Sequence, residues 1–165
     1  MLDRWKSEER NSVLFPVGSR QFVGVNKSEC NALIDLAQQG KARFCTHADT
    51  DSYLHEMIIF HRANTVVAPH RPVRGPESYL VLKGRICLVF YSDDGDFIAR
   101  EELEEFHMSG NFFLRIENAT FRGVVVLEDS VFVEVKTGPL ENNPVQWADW
   151  GSESELKATV VRDSR

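Results

Sequence analysis

The sequence feature that most constrains the fold is a run of eight short apolar segments after residue 55. Each has six to nine residues, is rich in Val, Ile, Phe and Tyr, and is separated from the next by turn residues. Asp94-Gly95 and Gly84 stand at two of the turns, as tight hairpins require. The spacing predicts a mainly β fold, a barrel or a double-sheet jelly roll, rather than an α/β fold. The segments read EMIIFHR, TVVAPHR, ESYLVLKG, RICLVFYS, DFIAREEL, NFFLRI, FRGVVVL and SVFVEVKTG.

The regions on either side of these segments differ in character. NKSECNALIDLAQQGK predicts one helix, with Asn26 and Ser28 able to cap its start and Gly40 placed to end it. Before it, SVLFPV and QFVGV predict two strands, and Pro16 makes the first an edge strand or an extended arm. We therefore expect one domain: an N-terminal arm over 1–26, a helix over 27–41, a barrel over 42–140, and an extended, partly disordered tail over 141–165. Trp147 and Trp150 pin that tail to the barrel or to a neighbouring subunit, or only cover the barrel's own surface.

Composition excludes several classes of partner. The net charge of −6 over 165 residues argues against nucleic acid or an anionic membrane surface as the main partner. No apolar run approaches 18 residues, and the charged start MLDRWKSEERN lacks the apolar core of a signal peptide. The three cysteines, Cys30, Cys45 and Cys87, have no CxxC spacing and are expected to be reduced and buried. We expect a cytoplasmic protein.

One loop carries a pattern typical of metal sites in small barrels. His70 ends one predicted strand and Glu77 begins the next, across the loop RPVRGP. A His and a Glu that flank such a loop can converge on one ion, and a third protein ligand plus water would complete an open, catalytic type of site. Ligands of small barrels bind in the barrel mouth, among inward-pointing side chains.

His70, Glu77 and Gly84 keep the spacing of the first cupin motif. More narrowly, PHRPVRGPESYLVLKGRICLVFYSDDGD, followed by VFVEVKTGPL, resembles the WbuC family of cupin-fold proteins over residues 28–142. The resemblance implies a cupin-type double-stranded β-helix, a jelly-roll barrel with one N-terminal helix. It also implies a link to surface-polysaccharide biosynthesis, and places Arg43 and His47 where the family has an Arg and a His before the first barrel strand.

Two expected metal ligands are replaced in this sequence. The second His of the first motif is Pro72, and the His that closes the later motif is Arg122 in IENATFRGVVV. A permanent cation at a metal position repels a divalent ion, so the four-ligand set is not intact. A rebuilt site for Zn, Fe, Ni or Mn would combine His70 and Glu77 with His47, His55 or His61. A lone strand histidine such as His61 is more often structural than a ligand.

The replacement suggests a different use for the pocket. We hypothesise that Arg122 takes the place of the metal's charge and pairs with Glu77. Further cations stand near by, at Arg71, Arg74 and Arg85. Such a pocket binds an anionic small molecule, for example a nucleotide sugar, because Arg suits carboxylate and phosphate groups. The alternative is that the pair is a structural remnant.

Three functions remain open from the sequence. The first is a small-molecule-binding or accessory cupin of sugar or surface-polysaccharide metabolism, whose pocket uses His70, Glu77, Arg122, Arg71 and His61. The second is a metal-dependent isomerase, epimerase or oxygenase built on His70, Glu77 and a recruited histidine. The third is an interaction protein that acts as a homodimer through its N-terminal strands. An epimerase without metal would need His70 as base and Tyr79 or Tyr91 as acid, but no Asp stands beside His70.

Overall fold

The structure, a computed structural model, describes residues 2–7, 12–18, 20–37, 40–152, 154, 156 and 160. The described residues form one helix, α1 (Lys27–Leu36), and twelve strands. The strands are β1 (Trp5–Ser7), β2 (Val13–Pro16), β3 (Lys41–Cys45), β4 (Leu54–His61), β5 (Val66–Pro72), β6 (Glu77–Lys83), β7 (Arg85–Tyr91), β8 (Phe97–Glu104), β9 (Phe113–Ile116), β10 (Phe121–Val126), β11 (Ser130–Thr137) and β12 (Val145–Trp147). All eight apolar segments form strands, so the prediction of a mainly β fold is confirmed.

The strands form two sheets that face each other as a jelly-roll barrel. One has the order β1-β2-β3-β4-β11-β6-β9 and the other the order β12-β5-β10-β7-β8. The pairings between named strands are antiparallel except that of β2 with β3. Period-two alternation then gives each strand one face toward the lumen and one face outward.

Three apolar clusters follow from that alternation. The lumen holds the main cluster, which includes Met57, Val81, Leu88 and Phe132. A second cluster packs α1 and β1 on the outer face of the seven-stranded sheet. The third covers the outer face of the five-stranded sheet with residues from the C-terminal segment, including Leu156. Gly123 in β10 makes room for that segment, because an added Cβ would lie 2.4 Å from a Leu156 methyl carbon.

The helix begins where the sequence indicates but ends earlier. Asn26 is the N-cap, and its side chain accepts from the backbone N–H of Glu29 while the Glu29 carboxylate accepts from the N–H of Asn26. The helix ends at Leu36 rather than residue 41. Lys41 instead begins β3, a strand that the apolar pattern of KARFC was too short to indicate.

The N-terminal region is built differently from the prediction. SVLFPV does supply β2, but QFVGV forms no strand, so that expectation is wrong. The edge-strand assignment of β2 is also wrong, because β1 and β3 pair with it on both sides. Pro16 is tolerated there because β3 pairs only with Val13 and Leu14 of β2. The strand β1 is tied to α1 through Glu29, which accepts from the indole N–H of Trp5 at 2.9 Å.

The first part of the C-terminal segment adds to the barrel. β12 pairs with β5, and Trp150 packs against Tyr91 and Phe121 while its indole N–H donates to the Asp93 carbonyl at 3.1 Å. These contacts attach the segment to its own barrel, one of the arrangements expected for the tryptophans. The predicted disorder falls partly on residues 153, 155, 157–159 and 161–165, which lie outside the described residues. Within the described part of the chain, no helix is long and apolar enough to cross a bilayer.

Candidate functional site

A buried ion pair lies where the altered motifs meet. Strand β6 supplies Glu77 and strand β10 supplies Arg122, each with only 2% of its surface exposed. Arg122 engages both carboxylate oxygens of Glu77, and its remaining terminal nitrogen donates to the backbone carbonyl of His70. The Tyr79 hydroxyl completes the cluster, 3.4 Å from Glu77 Oε1 and 3.4 Å from Arg122 Nη2. The guanidinium thus joins three strands of the two sheets.

Burial dominates the electrostatics of this cluster. The pKa of Glu77 is raised because burial disfavours the charged carboxylate, and the charge of Arg122 limits that rise. The pKa of the Tyr79 hydroxyl is raised well above its ordinary value, again by burial. Tyr79 is therefore a poor proton donor, and its hydroxyl already contacts Glu77 and Arg122.

This arrangement does not fit a cupin-type metal ion. The carboxylate that would bind the ion is held by a guanidinium, and Pro72 offers no ligand atom at its own position. A divalent ion beside Arg122 would be repelled in a low-dielectric interior, and Arg does not lose its proton to relieve the repulsion. Among the residues that the structure describes, no three His, Cys, Asp or Glu side chains are grouped to hold a metal ion.

Beside the ion pair lies a cavity of about 780 Å³ between the inner faces of the two sheets. Tyr79 and His70 line it, whereas Glu77 and Arg122 do not. Its volume is within the range of small-molecule sites. Its charged lining residues are three cations, Lys41, Arg43 and Lys136, and a single carboxylate, Glu134.

The cavity cations have no ion-pair partner among the residues that the structure describes. In the described ranges, none of Lys41, Arg43 and Lys136 forms an ion pair; Arg43 makes only a 3.8 Å contact with the sulfur of Met57. Surface cations also lack partners often, but these three share one concave wall. An anion that enters the cavity would meet a net positive charge.

Four histidines line the same cavity and are held neutral. His61 and His70 have pKa values lowered to about 3, and His47 to about 4, mainly because burial disfavours the imidazolium form. The pKa of His55 is also lowered, mainly by burial. Nearby cations add to the effect, Lys41 and Arg43 for His61 and Arg122 for His70. The positive charge of the cavity therefore comes from Lys and Arg.

Three of these histidines have a ring nitrogen in contact with the backbone, and for His55 it is Nε2, 3.2 Å from the Thr50 carbonyl. His70 Nδ1 lies 2.8 Å from the Ala68 carbonyl, so it carries the proton and leaves Nε2 as an acceptor. Trp147 of β12 covers one side of the ring at a centroid distance of 4.8 Å. The ring of His47 stacks on that of His55 at 4.3 Å, and its Nδ1 accepts from the N–H of Glu56 at 3.1 Å. With that nitrogen occupied, Nε2 is the nitrogen of His47 left for other contacts.

Not all predicted ligand residues face the cavity. Arg71 follows His70 on β5 and points outward, where it pairs with Asp93 at 2.6 Å and lies 4.2 Å over the ring of Phe121. Strand alternation is the reason, since neighbouring residues occupy opposite faces. Arg85 is likewise outside and contacts Glu102 and Glu128. Arg74 is exposed in the loop after β5, away from the lining of the cavity.

Tyr91, the second acid considered for an epimerase, belongs to the outer cluster around Trp150. It is separated from His70 by the sheet itself. Only Tyr79 of the two tyrosines lines the cavity, and the ion pair engages its hydroxyl.

The residue-based prediction missed Lys41, Glu134, Lys136 and the position of Trp147. One signal was present in SVFVEVKTG, where Phe132, Glu134 and Lys136 share one face of β11. Phe132 belongs to the lumen cluster, so the two charged residues also face the lumen. Trp147 gave no such signal, because its place depends on the pairing of β12 with β5.

Comparisons with known proteins address the fold. The family model described as "Domain of unknown function (DUF6016)" matches residues 26–103. The comparison with curated proteins gives no match.

Several solved structures resemble the chain. The salicylate 1,2-dioxygenase of Pseudaminobacter salicylatoxidans aligns at a TM-score of 0.51 and 17% identity, over 73% of this chain and 35% of its own. Recombinant pro-11S globulin of pumpkin aligns at a TM-score of 0.51 and 15% identity, over 67% of this chain and 28% of its own. KdgF from Halomonas sp. aligns at a TM-score of 0.45 and 20% identity, over 61% of this chain and 81% of its own. This chain thus spans about a third or less of the dioxygenase and the globulin. Identities this low speak to the fold alone: the chain has a cupin-type jelly-roll barrel.

Proposed function

We propose that this protein binds an anionic small molecule in the barrel cavity and that it does so without a metal ion at the cupin position. One observation carries the proposal. Three cations without ion-pair partners among the described residues, Lys41, Arg43 and Lys136, line one cavity of about 780 Å³ that has a single carboxylate. Cations that share one concave wall add up to a local positive potential, which attracts a ligand of opposite charge.

The ion pair supports the proposal by removing the other candidate for anion binding. Arg122 is engaged by Glu77 and by the His70 carbonyl, so its charge is compensated internally. The ligand's charge is then recognised by the cavity cations, while Nε2 of His70 contributes a hydrogen-bonding atom to the wall. This assigns Arg122 a structural role and shifts the anion site toward β3 and β11.

Trp147 supports a ligand that contains a ring. Its side chain is 57% exposed although one side of the indole lies near His70. An exposed indole at the wall of a polar cavity offers a flat apolar surface to a sugar or a base. Together with the resemblance to the WbuC family, this favours a nucleotide sugar or a sugar acid of surface-polysaccharide metabolism as the ligand. We propose an accessory, ligand-binding role for a cytoplasmic homodimer.

Thermal unfolding in the presence of ligands tests the proposal. UDP-glucose, UDP-glucuronate, citrate and inorganic phosphate are added to the full chain, and affinities are measured by titration calorimetry. A ligand at 100 times its Kd stabilises the folded state by about 2.7 kcal/mol. We expect stabilisation by at least one of these anions and none by uncharged glucose.

A matched pair of variants separates specific from general charge effects. Arg43→Gln removes a cavity cation, whereas Arg71→Gln removes a cation of the outer face. Anion binding should weaken in the first variant and persist in the second. Equal weakening in both, or stabilisation by none of the four anions, would reject the proposal. Stabilisation only by Zn, Fe, Ni or Mn that is lost in His70→Ala would favour a rebuilt metal site instead.

A further inference from the structure

The cations of the cavity fall into two groups, as the strand register shows. On β4, His61 has Lys41 of β3 as its cross-strand neighbour and Ile59 has Arg43, and both cations line the cavity. Further along β4, His55 has Lys136 of β11 as its neighbour. Lys41 and Arg43 therefore mark one end of the cavity wall, and Lys136 marks the other.

The register also gives the separation of the two groups. Ile59, beside Arg43, and His55, beside Lys136, are four residues apart on β4. At about 3.4 Å per residue, the backbones of Ile59 and His55 are separated by roughly 14 Å. Because β3 and β11 lie on opposite sides of β4, at about 4.8 Å each, the backbones of Arg43 and Lys136 are roughly 17 Å apart. At that backbone separation, two charged groups of one ligand reach both cation groups without requiring the Lys and Arg side chains to extend fully toward each other.

The wall between the two groups carries one negative charge, that of Glu134, among apolar side chains such as Met57. Glu134 lies on β11 two residues before Lys136, and its cross-strand neighbours are Met57 and Tyr79. Glu134 has no ion-pair partner in the described part of the chain. A carboxylate at this point repels an anion but accepts hydrogen bonds from hydroxyl groups. The middle of a bound ligand should therefore be uncharged and hydroxylated.

We infer that the cavity binds a dianion whose two charged groups are separated by a hydroxyl-bearing spacer, with one group at Lys41 and Arg43 and the other at Lys136. The ligand class is that of sugar diacids and of sugar acids that also carry a phosphate. This inference rests on the proposed function, since it divides the anion site into two subsites and assigns Glu134 to the part between them.

Linear dicarboxylates of increasing length, from succinate to dodecanedioate, test the two subsites. Two subsites joined by one ligand give an affinity that peaks at the length that spans them, because the second contact becomes intramolecular. We expect such a peak, at least tenfold above the monocarboxylate of equal length. Lys136→Gln and the double variant K41Q/R43Q should each remove the peak, whereas Arg71→Gln should retain it.

Glucarate and adipate test the spacer, because they have the same length and differ only in hydroxyl groups. Glucarate should bind more tightly to the wild type, and Glu134→Ala should abolish this preference. Folding of each variant is checked by its thermal midpoint without ligand.

The possible outcomes separate this inference from the proposed function. Binding that depends on Arg43 but not on Lys136, with no optimum of length, would overturn the two-subsite inference and leave the proposed function standing. A preference for glucarate that persists in Glu134→Ala would overturn the role of the spacer. If no dicarboxylate binds, and UDP-glucose, UDP-glucuronate, citrate and inorganic phosphate do not bind either, both the inference and the proposed function fail.

Discussion

The barrel contains two clusters of charged residues that differ in whether a neighbouring side chain neutralises them. Glu77 and Arg122 are fully buried and satisfy each other, so the interior is closed around them. Lys41, Arg43 and Lys136 line an open cavity and have no such partners among the described residues. The first cluster holds the two sheets together, and the second has charge left for a ligand. The difference separates Arg122, a structural cation at the altered metal position, from the cavity cations that are available for binding.

Among single substitutions, the largest expected effect comes from breaking the buried pair. Arg122→Met leaves the Glu77 carboxyl buried without its partner and should destabilise the protein by about 3–5 kcal/mol. Replacing both residues, in E77L/R122M, removes the uncompensated group and should recover most of that loss. Urea unfolding at pH 7 gives the free energies of unfolding.

Arg115 and Glu117 provide a matched control, since they form the same two-point contact on the surface, at 2.6 and 3.2 Å. Arg115→Met should leave the unfolding midpoint unchanged. An equal loss in Arg115→Met and Arg122→Met would show that burial is not what gives the inner pair its effect.

The second effect concerns the metal position that Arg122 now fills. Restoring the two replaced histidines, in P72H/R122H, releases Glu77 and supplies imidazole nitrogens beside His70. The variant should gain stability in the presence of Zn²⁺, by about 2.7 kcal/mol at 100 times its Kd. The wild type and P72H alone should show no such gain, because both retain the guanidinium. Differential scanning calorimetry with and without metal makes the comparison, and stabilisation of the wild type would contradict the role assigned to Arg122.

The third effect is a loss of stability in mild acid. The folded-state pKa values of His61 and His70, about 3, are below the unfolded value of 6.5. Their contribution is therefore fully present above pH 6.5 and is lost as pH falls from 6.5 toward 3. The slope approaches about 1.4 kcal/mol per pH unit for each histidine. Glu77, whose pKa is raised, acts in the opposite sense between pH 4.5 and its folded value, and offsets part of the loss.

Chemical unfolding at several pH values isolates this contribution. The double variant H61Q/H70Q should have a shallower dependence between pH 6.5 and 4.5 than the wild type. Parallel curves would show that these two histidines are not held neutral in the folded protein.

Sequence reasoning was accurate where the signal was local. The eight apolar segments, the Asp94-Gly95 hairpin and the N-cap Asn26 each depend on a few adjacent residues, and the structure has them all. The buried contact of Arg122 with Glu77 was also accessible, because the altered motif positions implied two strands that meet at one point. The resemblance to the wider cupin class is supported at the level of fold, whereas the narrower WbuC resemblance remains a prediction.

Sequence reasoning failed where position depends on distant pairing. Lys41 was assigned to the helix, which Gly40 was expected to end, and only the pairing of KARFC with β4 reveals β3. Trp147 reaches His70 through β12, a three-residue strand in a polar segment. Arg71 was assigned to the pocket by its nearness in sequence to His70, yet alternation along β5 points it to Phe121. The set of residues that lines the cavity therefore depends on the strand register, which the amino-acid composition does not reveal.

The smallest expected effect separates the two clusters most clearly. Arg43→Gln and Lys136→Gln each remove a cation that has no ion-pair partner in the described residues, so neither change leaves a buried carboxylate unpaired. The free energy of unfolding without ligand should change by no more than about 0.5 kcal/mol, the range of substitutions that break no specific contact. The stabilisation by anionic ligands should nevertheless weaken. Urea unfolding with and without UDP-glucuronate or glucarate measures both quantities. A loss of several kcal/mol without ligand would mean that these cations are part of the folded framework, as Arg122 is, and that the two clusters do not differ in kind.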